Sequence, residues 1–367
     1  MTIKTSTYQP GQNIDDIQKK YRIKNVIKLA SNENPSGPST KAIKAGLEIF
    51  KIINRYPDSK SSKLKKTIAS YLSLSSIKVD NIMIGNGSNE ILEFVARQYL
   101  DKKSEVLFCK HSFLVYKIVS ANVNAKIVES KPIMIPGINY MNIDLEDMKL
   151  KITSKTKVIF IANPGNPTGT VLSITSIKKF LDNIPKRIIV VLDEAYYEYS
   201  EYKGFKTAAS LLKKYSNIIV TRSFSKIHAL AGLRIGYGLA SKKIVNDFNN
   251  FRQPFNINYI AQEMAAVSLK DSSYVKKSLK ENDNGMIYLK SCFDELGIKY
   301  LNSYTNFLTI YLGSKTKQIF NDLLYQGVIL RPLNNYGLSK YLRVTIGTDS
   351  ENRYFIKKLK KTLKMAK

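Results

Sequence analysis

Val158-Ile159-Phe160-Ile161-Ala162-Asn163-Pro164-Gly165-Asn166-Pro167-Thr168-Gly169 is an apolar run that stops abruptly on a string of turn formers. Residues 158–162 are apolar at every position rather than at every second one, which is how a strand buried on both faces of a parallel sheet reads. Two prolines then fix the loop, and the glycines admit dihedrals closed to other residues, so the Asn166 amide is held rigidly beside the sheet edge. A purely structural turn seldom needs so specific a string. Because open α/β sheets bind ligands beyond the carboxyl ends of their strands, the segment is both a sheet element and one wall of a site.

Working outward, short apolar runs, several of them almost wholly β-branched, recur at 81–84, 105–108, 126–129, 187–192, 218–221 and 236–240. Helical patterns such as 89–99 and 174–183 lie between them. The alternation predicts an α/β fold, with a mainly parallel central sheet in a large domain over residues 41–255. After about Arg252 the pattern changes to a long helical stretch over 259–289. Strand-like runs at 304–312, 328–331 and 341–346, a helix near 317–326 and a final basic helix follow, which predicts a smaller α+β C-terminal domain over 256–367. The first 35 residues read as an irregular arm closing on Asn32-Glu33-Asn34-Pro35. Residues 1–40 are expected to pack with the small domain.

Composition narrows the classes of function. Hydrophobic residues are 44% and charged residues 24% of the 367, the balance of a globular chain. No run of roughly 18 apolar residues offers a bilayer span, and no apolar leader precedes Asp15-Asp16, so no membrane partner and a cytoplasmic location are expected. Two distant cysteines, Cys109 and Cys292, and two histidines, His111 and His228, support neither a disulfide framework nor a metal centre. The net charge of +29 raises nucleic acid as a partner. However, the lysines are scattered, clusters such as Lys63-Leu-Lys65-Lys66 read as solvated faces, and no zinc finger or Arg-rich arm occurs, so none is expected.

Three further strand ends carry chemistry. Ile84-Gly85-Asn86-Gly87-Ser88-Asn89-Glu90 joins a strand to a helix whose first amides can meet a phosphate. It lacks the third glycine of a dinucleotide fingerprint and the Gly-Lys-Ser/Thr of a P-loop, and by itself reads equally as a capped turn. Val191-Leu192-Asp193-Glu194-Ala195-Tyr196 puts a carboxylate at the end of a buried strand, which is costly unless a cation such as a protonated ring nitrogen meets it. Thr221-Arg222-Ser223-Phe224-Ser225-Lys226, with Arg234 eight positions on, gathers two hydroxyls, an amine and a guanidinium. A lone lysine in so Lys-rich a chain is a surface residue by default; the other three junctions single out Lys226.

Asn-Pro-x-Asn-Pro-Thr-Gly, Asp-Glu-Ala-Tyr and Ser-x-Ser-Lys, in this order and spacing, resemble the fold-type-I pyridoxal-phosphate aminotransferases, in particular the histidinol-phosphate aminotransferase family. The resemblance runs from Leu29-Ala-Ser-Asn-Glu-Asn-Pro35 through Asn54-Arg-Tyr-Pro-Asp58 to Leu342-Arg-Val-Thr-Ile-Gly-Thr348. It implies pyridoxal phosphate as cofactor and a catalytic group of Lys226, Asp193 and Tyr196. Lys226 would form the Schiff base, Asp193 would pair with the pyridine nitrogen, Asn166 and Tyr196 would bond the phenolic oxygen, and Phe113 would stack on the ring. The cofactor phosphate would rest on Ser88, Asn89, Ser223, Ser225 and Arg234, and Arg234 is also expected to lower the pKa of Lys226. Tyr56 matches a residue that reaches the neighbouring subunit's cofactor, which implies a homodimer with shared sites.

For the substrate, Arg343 matches an arginine that receives an anion, and Arg331 matches one associated with the phosphate of histidinol phosphate. Tyr8 and Asn34 are further candidates at the entrance. The resemblance therefore implies transamination of histidinol phosphate with 2-oxoglutarate and glutamate in histidine biosynthesis. An aromatic amino acid aminotransferase and a threonine-phosphate decarboxylase share the scaffold and stay open as alternatives. The chain departs from the family at Ile227-His228-Ala229, where an aromatic and a glycine are usual; His228 is read as packing beside the cofactor rather than as a base.

Overall fold

A computed structural model describes residues 12–135 and 140–365. Its strands in chain order are β1 (Ile27–Lys28), β2 (Ile82–Gly85), β3 (Glu105–Cys109), β4 (Lys126–Ser130), β5 (Pro132–Ile135), β6 (Tyr140–Ile143), β7 (Thr156–Ala162), β8 (Ile189–Asp193), β9 (Ile218–Ser223), β10 (Gly236–Leu239), β11 (Phe307–Tyr311), β12 (Val328–Ile329), β13 (Arg331–Pro332) and β14 (Tyr341–Thr345). Seven of them form the central sheet in the order β2-β10-β9-β8-β7-β3-β4. β9, β8, β7, β3 and β4 are parallel; β10 is antiparallel to both β2 and β9. β3 is followed along the sheet by β4 and β7 by β8, in opposite directions. The loops after β3 and β7 therefore diverge and leave a crevice at the carboxyl ends of the strands.

The helices are α1 (Ile14–Tyr21), α2 (Thr40–Ile49), α3 (Ser62–Leu72), α4 (Ser88–Tyr99), α5 (Leu114–Asn122), α6 (Leu145–Leu150), α7 (Ile174–Asp182), α8 (Tyr197–Glu201), α9 (Lys242–Phe251), α10 (Tyr259–Lys270), α11 (Ser272–Glu295), α12 (Thr316–Tyr325) and α13 (Asp349–Met365). They explain why β7 is apolar throughout. Ile159 and Ile161 face a core built with Leu64 and Ile68 of α3, Ile177 and Phe180 of α7, and Ala261 and Ala265 of α10. Val158 and Phe160 face the opposite core, with Ile91 and Phe94 of α4, Tyr116 of α5 and Phe248 of α9. With both faces covered, alternation has no work to do. A separate core gathers Leu289 and Phe293 of α11, Leu323 of α12 and Phe355 of α13 over the antiparallel sheet β11-β14-β13.

Four expectations need correction. The helical stretch 259–289 is two helices, because Asp271 leaves helical dihedrals (φ −91°, ψ 69°). Its carboxylate accepts bonds from Ser273 (2.7 Å) and Lys41 (3.1 Å), a local alternative to the helix that short acidic side chains favour. The first of the two, α10, packs on α2 and α3, so a helix assigned from residue 256 to the smaller unit sits in the large core instead. The arm is not wholly irregular: α1 carries Asp15 and Asp16 in its first turn and Lys19 and Lys20 in its last, matching the helix dipole. β1 then pairs in parallel with β12, tying the arm to the small unit. Finally, β5 and β6 form a hairpin where the sequence suggested nothing.

Candidate active site

The loops at the carboxyl ends of the parallel strands close around a pocket of about 290 Å³. Lys226, Asp193, Tyr196 and Asn166 line it, as do Ser88, Asn89, Phe113, Ser223, Ser225 and Arg234; Arg331 and Arg343 enter from the small unit. Ser88, Asn166 and Lys226, 60 positions apart or more, meet because each follows a strand of one sheet.

Asp193, the last residue of β8, is 5% exposed. Burial pushes its carboxyl up, and three donors oppose that: Tyr116 Oη to Oδ2 (2.8 Å), Thr221 Oγ1 to Oδ1 (3.1 Å) and the Ala195 amide to Oδ1 (3.3 Å). Neither Tyr116 nor Thr221 was singled out from sequence. No local sequence pattern marked Tyr116, whose fully buried hydroxyl on α5 needs an acceptor and finds it in Asp193. Its ring stacks on Phe160 (4.7 Å between centroids) and meets Phe113 edge-on (5.7 Å), so its position is fixed independently of the bond it donates. Tyr116→Phe is expected to leave the fold intact and to lower kcat about tenfold with KM little changed, the scale of one hydrogen bond to a charged group. Steady-state kinetics beside a melting curve would check this.

Lys226 Nζ donates to Ser31 O (3.2 Å) and lies 5.6 Å from the centre of the Tyr196 ring. Burial, followed by the nearby Arg343 guanidinium, lowers its amine to about 7; Arg234 adds a smaller push in the same direction and Glu33 a contrary one. The depression expected from Arg234 thus comes mainly from enclosure and from Arg343. Tyr196 Oη accepts from Asn32 Nδ2 (2.8 Å), and burial pushes the phenol up to about 12. Asn32, a strap residue in the left-handed region (φ 54°), is another contributor that sequence reasoning did not identify.

Arg343 is 5% exposed. Nη1 donates to Asn166 Oδ1 (2.6 Å) and Nη2 to Ala30 O (2.9 Å), while the buried Nε has no partner among the described residues. The loop holding Asn166 has cis peptide bonds at Asn163-Pro164 and Asn166-Pro167. Below it, Arg222 and Glu194 form a buried ion pair (3.0 Å), Glu194 accepts the Ala208 amide (2.6 Å) and Thr207 Oγ1 (2.8 Å), and Arg222 lies 3.8 Å over the Tyr197 ring. With every partner satisfied, this pair anchors the segment that follows Asp193.

At the opposite end, Gly87 precedes α4 with φ +72°, and no side chain caps the helix. A Cβ on Gly87 would fall 2.5 Å from Arg234 Nη2, and one on Gly236 2.5 Å from the Ser88 amide. Free amides, Ser223, Ser225 and Arg234 thus form a cup shaped for an anion at a helix N-terminus. Ser225 N donates to Ser223 Oγ (3.0 Å), and Arg234 Nη1 is held by Ala231 O (3.0 Å).

Not every residue considered from sequence is found lining the pocket. Tyr8 lies outside the described residues. Tyr56 is 81% exposed and stacks on Phe255 (4.6 Å), away from this pocket. Asn34 turns from the pocket, because its amide is taken by Ile227 O (3.0 Å) and Tyr274 Oη (3.1 Å). His228 packs, as expected: it is 2% exposed and bonded to Ser268 Oγ (2.6 Å), and burial lowers its ring to about 4.

A family model described as "Aminotransferase class I and II" matches residues 24–359. The chain is 43% identical over 355 residues to histidinol-phosphate aminotransferase 1 of Idiomarina loihiensis, covering 96% of this chain and 94% of that protein. Among solved structures, histidinol-phosphate aminotransferase from Sinorhizobium meliloti in complex with pyridoxal-5'-phosphate superposes with a TM-score of 0.88 at 23% identity, covering 100% of this chain and 98% of that one. The corresponding protein from Clostridium acetobutylicum superposes at 0.83 with 26% identity, covering 93% and 100%.

Proposed function

We propose that this chain, which belongs to the class I and II aminotransferases and to their histidinol-phosphate aminotransferase family, transfers the amino group of histidinol phosphate to 2-oxoglutarate with pyridoxal phosphate as cofactor. The pocket fits that cofactor by its donor set: a buried carboxylate at one end, an uncapped helix with two serines and an arginine at the other, and an amine between them. When bound, pyridoxal phosphate supplies an electron sink for the charge left on the substrate carbon as its proton departs.

The protein's own groups do the rest. Asp193, fixed in place by its three donors, would pair with the protonated ring nitrogen, whose charge would favour the carboxylate form that burial opposes. Tyr196 Oη and Asn166 Nδ2, whose partner Oδ1 is already taken by Arg343, donate to the phenolic oxygen. Ser88, Asn89, Ser223, Ser225 and Arg234 hold the phosphate, and Phe113 covers the ring face. Lys226 Nζ, with its pKa lowered to about 7, is poised near working pH to take the proton from the amine-bearing carbon and return it.

The observation that carries the substrate is Arg343: buried, fixed by two carbonyl-type acceptors, and left with an unpartnered Nε. A guanidinium so placed receives a carboxylate or a phosphate through its fork, and Arg331 in the same pocket supplies a second cation for the phosphate. The test is a half-reaction. Holoenzyme mixed separately with histidinol phosphate, phenylalanine and threonine phosphate is expected to lose its visible cofactor absorbance rapidly with histidinol phosphate alone. A fast response to phenylalanine with none to histidinol phosphate would overturn the substrate.

The same reading makes the protein a cytoplasmic homodimer acting on small molecules. Ile43 and Leu47 of α2, Phe50, Ile53 and Tyr56 are 41–81% exposed along one connected segment, an apolar band of the kind that marks a protein interface. A second chain docked there would bring its Tyr56 towards the pocket. The two free, buried cysteines accord with a reducing compartment, and among the described residues no helix is long and apolar enough to cross a membrane.

A further inference from the structure

Beside the strap that carries Ser31 and Asn32 lies a second cavity, of about 370 Å³, between that strap, one face of α11 and the start of α13. Two polar side chains in its wall each carry an atom with no partner among the described residues. Tyr199 is 5% exposed, and its hydroxyl makes no hydrogen bond among the described residues. Asn306 is 2% exposed; its Nδ2 donates to Asn32 O (3.0 Å), but its Oδ1 meets nothing. Buried groups are paired as a rule, so an unpaired donor and an unpaired acceptor in one cavity wall mark a place where a ligand completes the bonding.

The charge of the lining tells which ligand. Glu281 and Asp349 stand in it, and neither lysine nor arginine does, although the chain as a whole carries +29. Lys277 and Arg353 pair with these carboxylates only as i,i+4 neighbours on helix surfaces, which hold weakly in water. The active site has the opposite sign, with Arg234, Arg331 and Arg343. A phosphate or dicarboxylate finds no counter-charge in the second cavity.

We propose that this cavity binds a small organic cation and that its occupancy bears on the active site through the strap. The cation sits against Glu281 and Asp349, and a polar group of the ligand meets Tyr199 Oη. Asn306 holds Asn32 O, and Asn32 in turn donates to Tyr196 Oη (2.8 Å). Asn34, also in the cavity wall, holds Ile227 O (3.0 Å), next to Lys226. A ligand that orders these two asparagines orders the groups around Lys226 and Tyr196. The coupling rests on the proposed transamination, whereas the binding does not.

The test is a calorimetric titration of holoenzyme with N,N-dimethylhistamine and with N-methylguanidine. The first is a tertiary amine, which cannot bond covalently to the cofactor. Inorganic phosphate added to saturation keeps the active site in competition. Saturable binding of at least one cation, one per chain, is expected, weakened at least tenfold in Glu281→Lys and measurably in Tyr199→Phe. Glu281→Lys is expected to keep the cation-free kcat of the wild type, which shows that the variant is folded. No saturable binding of either cation, or equal affinity in wild type and Glu281→Lys, would overturn the site. Binding that leaves the KM for the amine substrate unchanged would overturn the coupling, and because binding is read without turnover, a wrong substrate assignment leaves that first result intact.

Discussion

Lys226→Ala is expected to lower kcat by about 10⁴-fold, the upper end of what a single acid–base group supplies. Loss is expected to be this large because no other amine lines the pocket, so nothing substitutes for Nζ as carrier of the proton. The holoenzyme should also lose the visible absorbance that a covalent bond to Lys226 produces, and a retained band would refute the role given to this lysine. A pH profile adds an independent check. The Lys226 pKa is depressed to about 7, by burial first and Arg343 next; the uncharged amine therefore predominates above that pH and is lost below it. Turnover at saturating substrate, kcat, is expected to fall on the acid side of about pH 7. Arg343→Gln removes the second cause, and is expected to move that limb towards higher pH as well as raising KM.

Asp193→Ala is expected to cost two to four decades in kcat. Removing one partner of a buried ion pair costs about 3–5 kcal/mol, and the ring nitrogen would be the charge left unmatched. Asp193 is 5% exposed with three donors converging on it, so water cannot take its place. Asp193→Glu should recover part of the loss, while Asp193→Asn, which cannot match a cation, should resemble alanine. Equal kcat in the wild type and Asp193→Asn would remove the carboxylate from the mechanism. Cofactor affinity, measured by dialysis, should weaken less than kcat falls, since the phosphate cup is untouched.

The two arginines and the second cavity suggest a division of labour by charge. The active site collects anions, as a substrate phosphate and two carboxylates require, and a cation is directed elsewhere. Between the two runs the strap, whose Ala30 and Ser31 carbonyls hold Arg343 and Lys226 and whose Asn32 holds Tyr196.

The sheet, the family and the residues gathered at the strand tips could be read from the linear sequence. An apolar run such as 158–162 has to be covered on both faces, and it ends where a polar loop has to face a ligand, so the strands and the residues at their tips are local facts that a linear reading captures. Lys226, Asp193, Asn166, Tyr196, Ser88 and Arg234 were legible in that way. Features that depend on partners distant in the chain emerged from the folded molecule instead. Tyr116 bonds Asp193 across 77 positions and Asn32 bonds Tyr196 across 164, and no local pattern encodes such pairs. Asn34 was placed at the substrate entrance yet faces the second cavity, because its amide is taken by Ile227 O and Tyr274 Oη. Asp271 broke a helix whose periodicity was unbroken, because its carboxylate found Lys41, 230 residues away. Burial and Arg343, rather than the sequence-near Arg234, set the amine of Lys226, since desolvation and charge act through space and not along the chain.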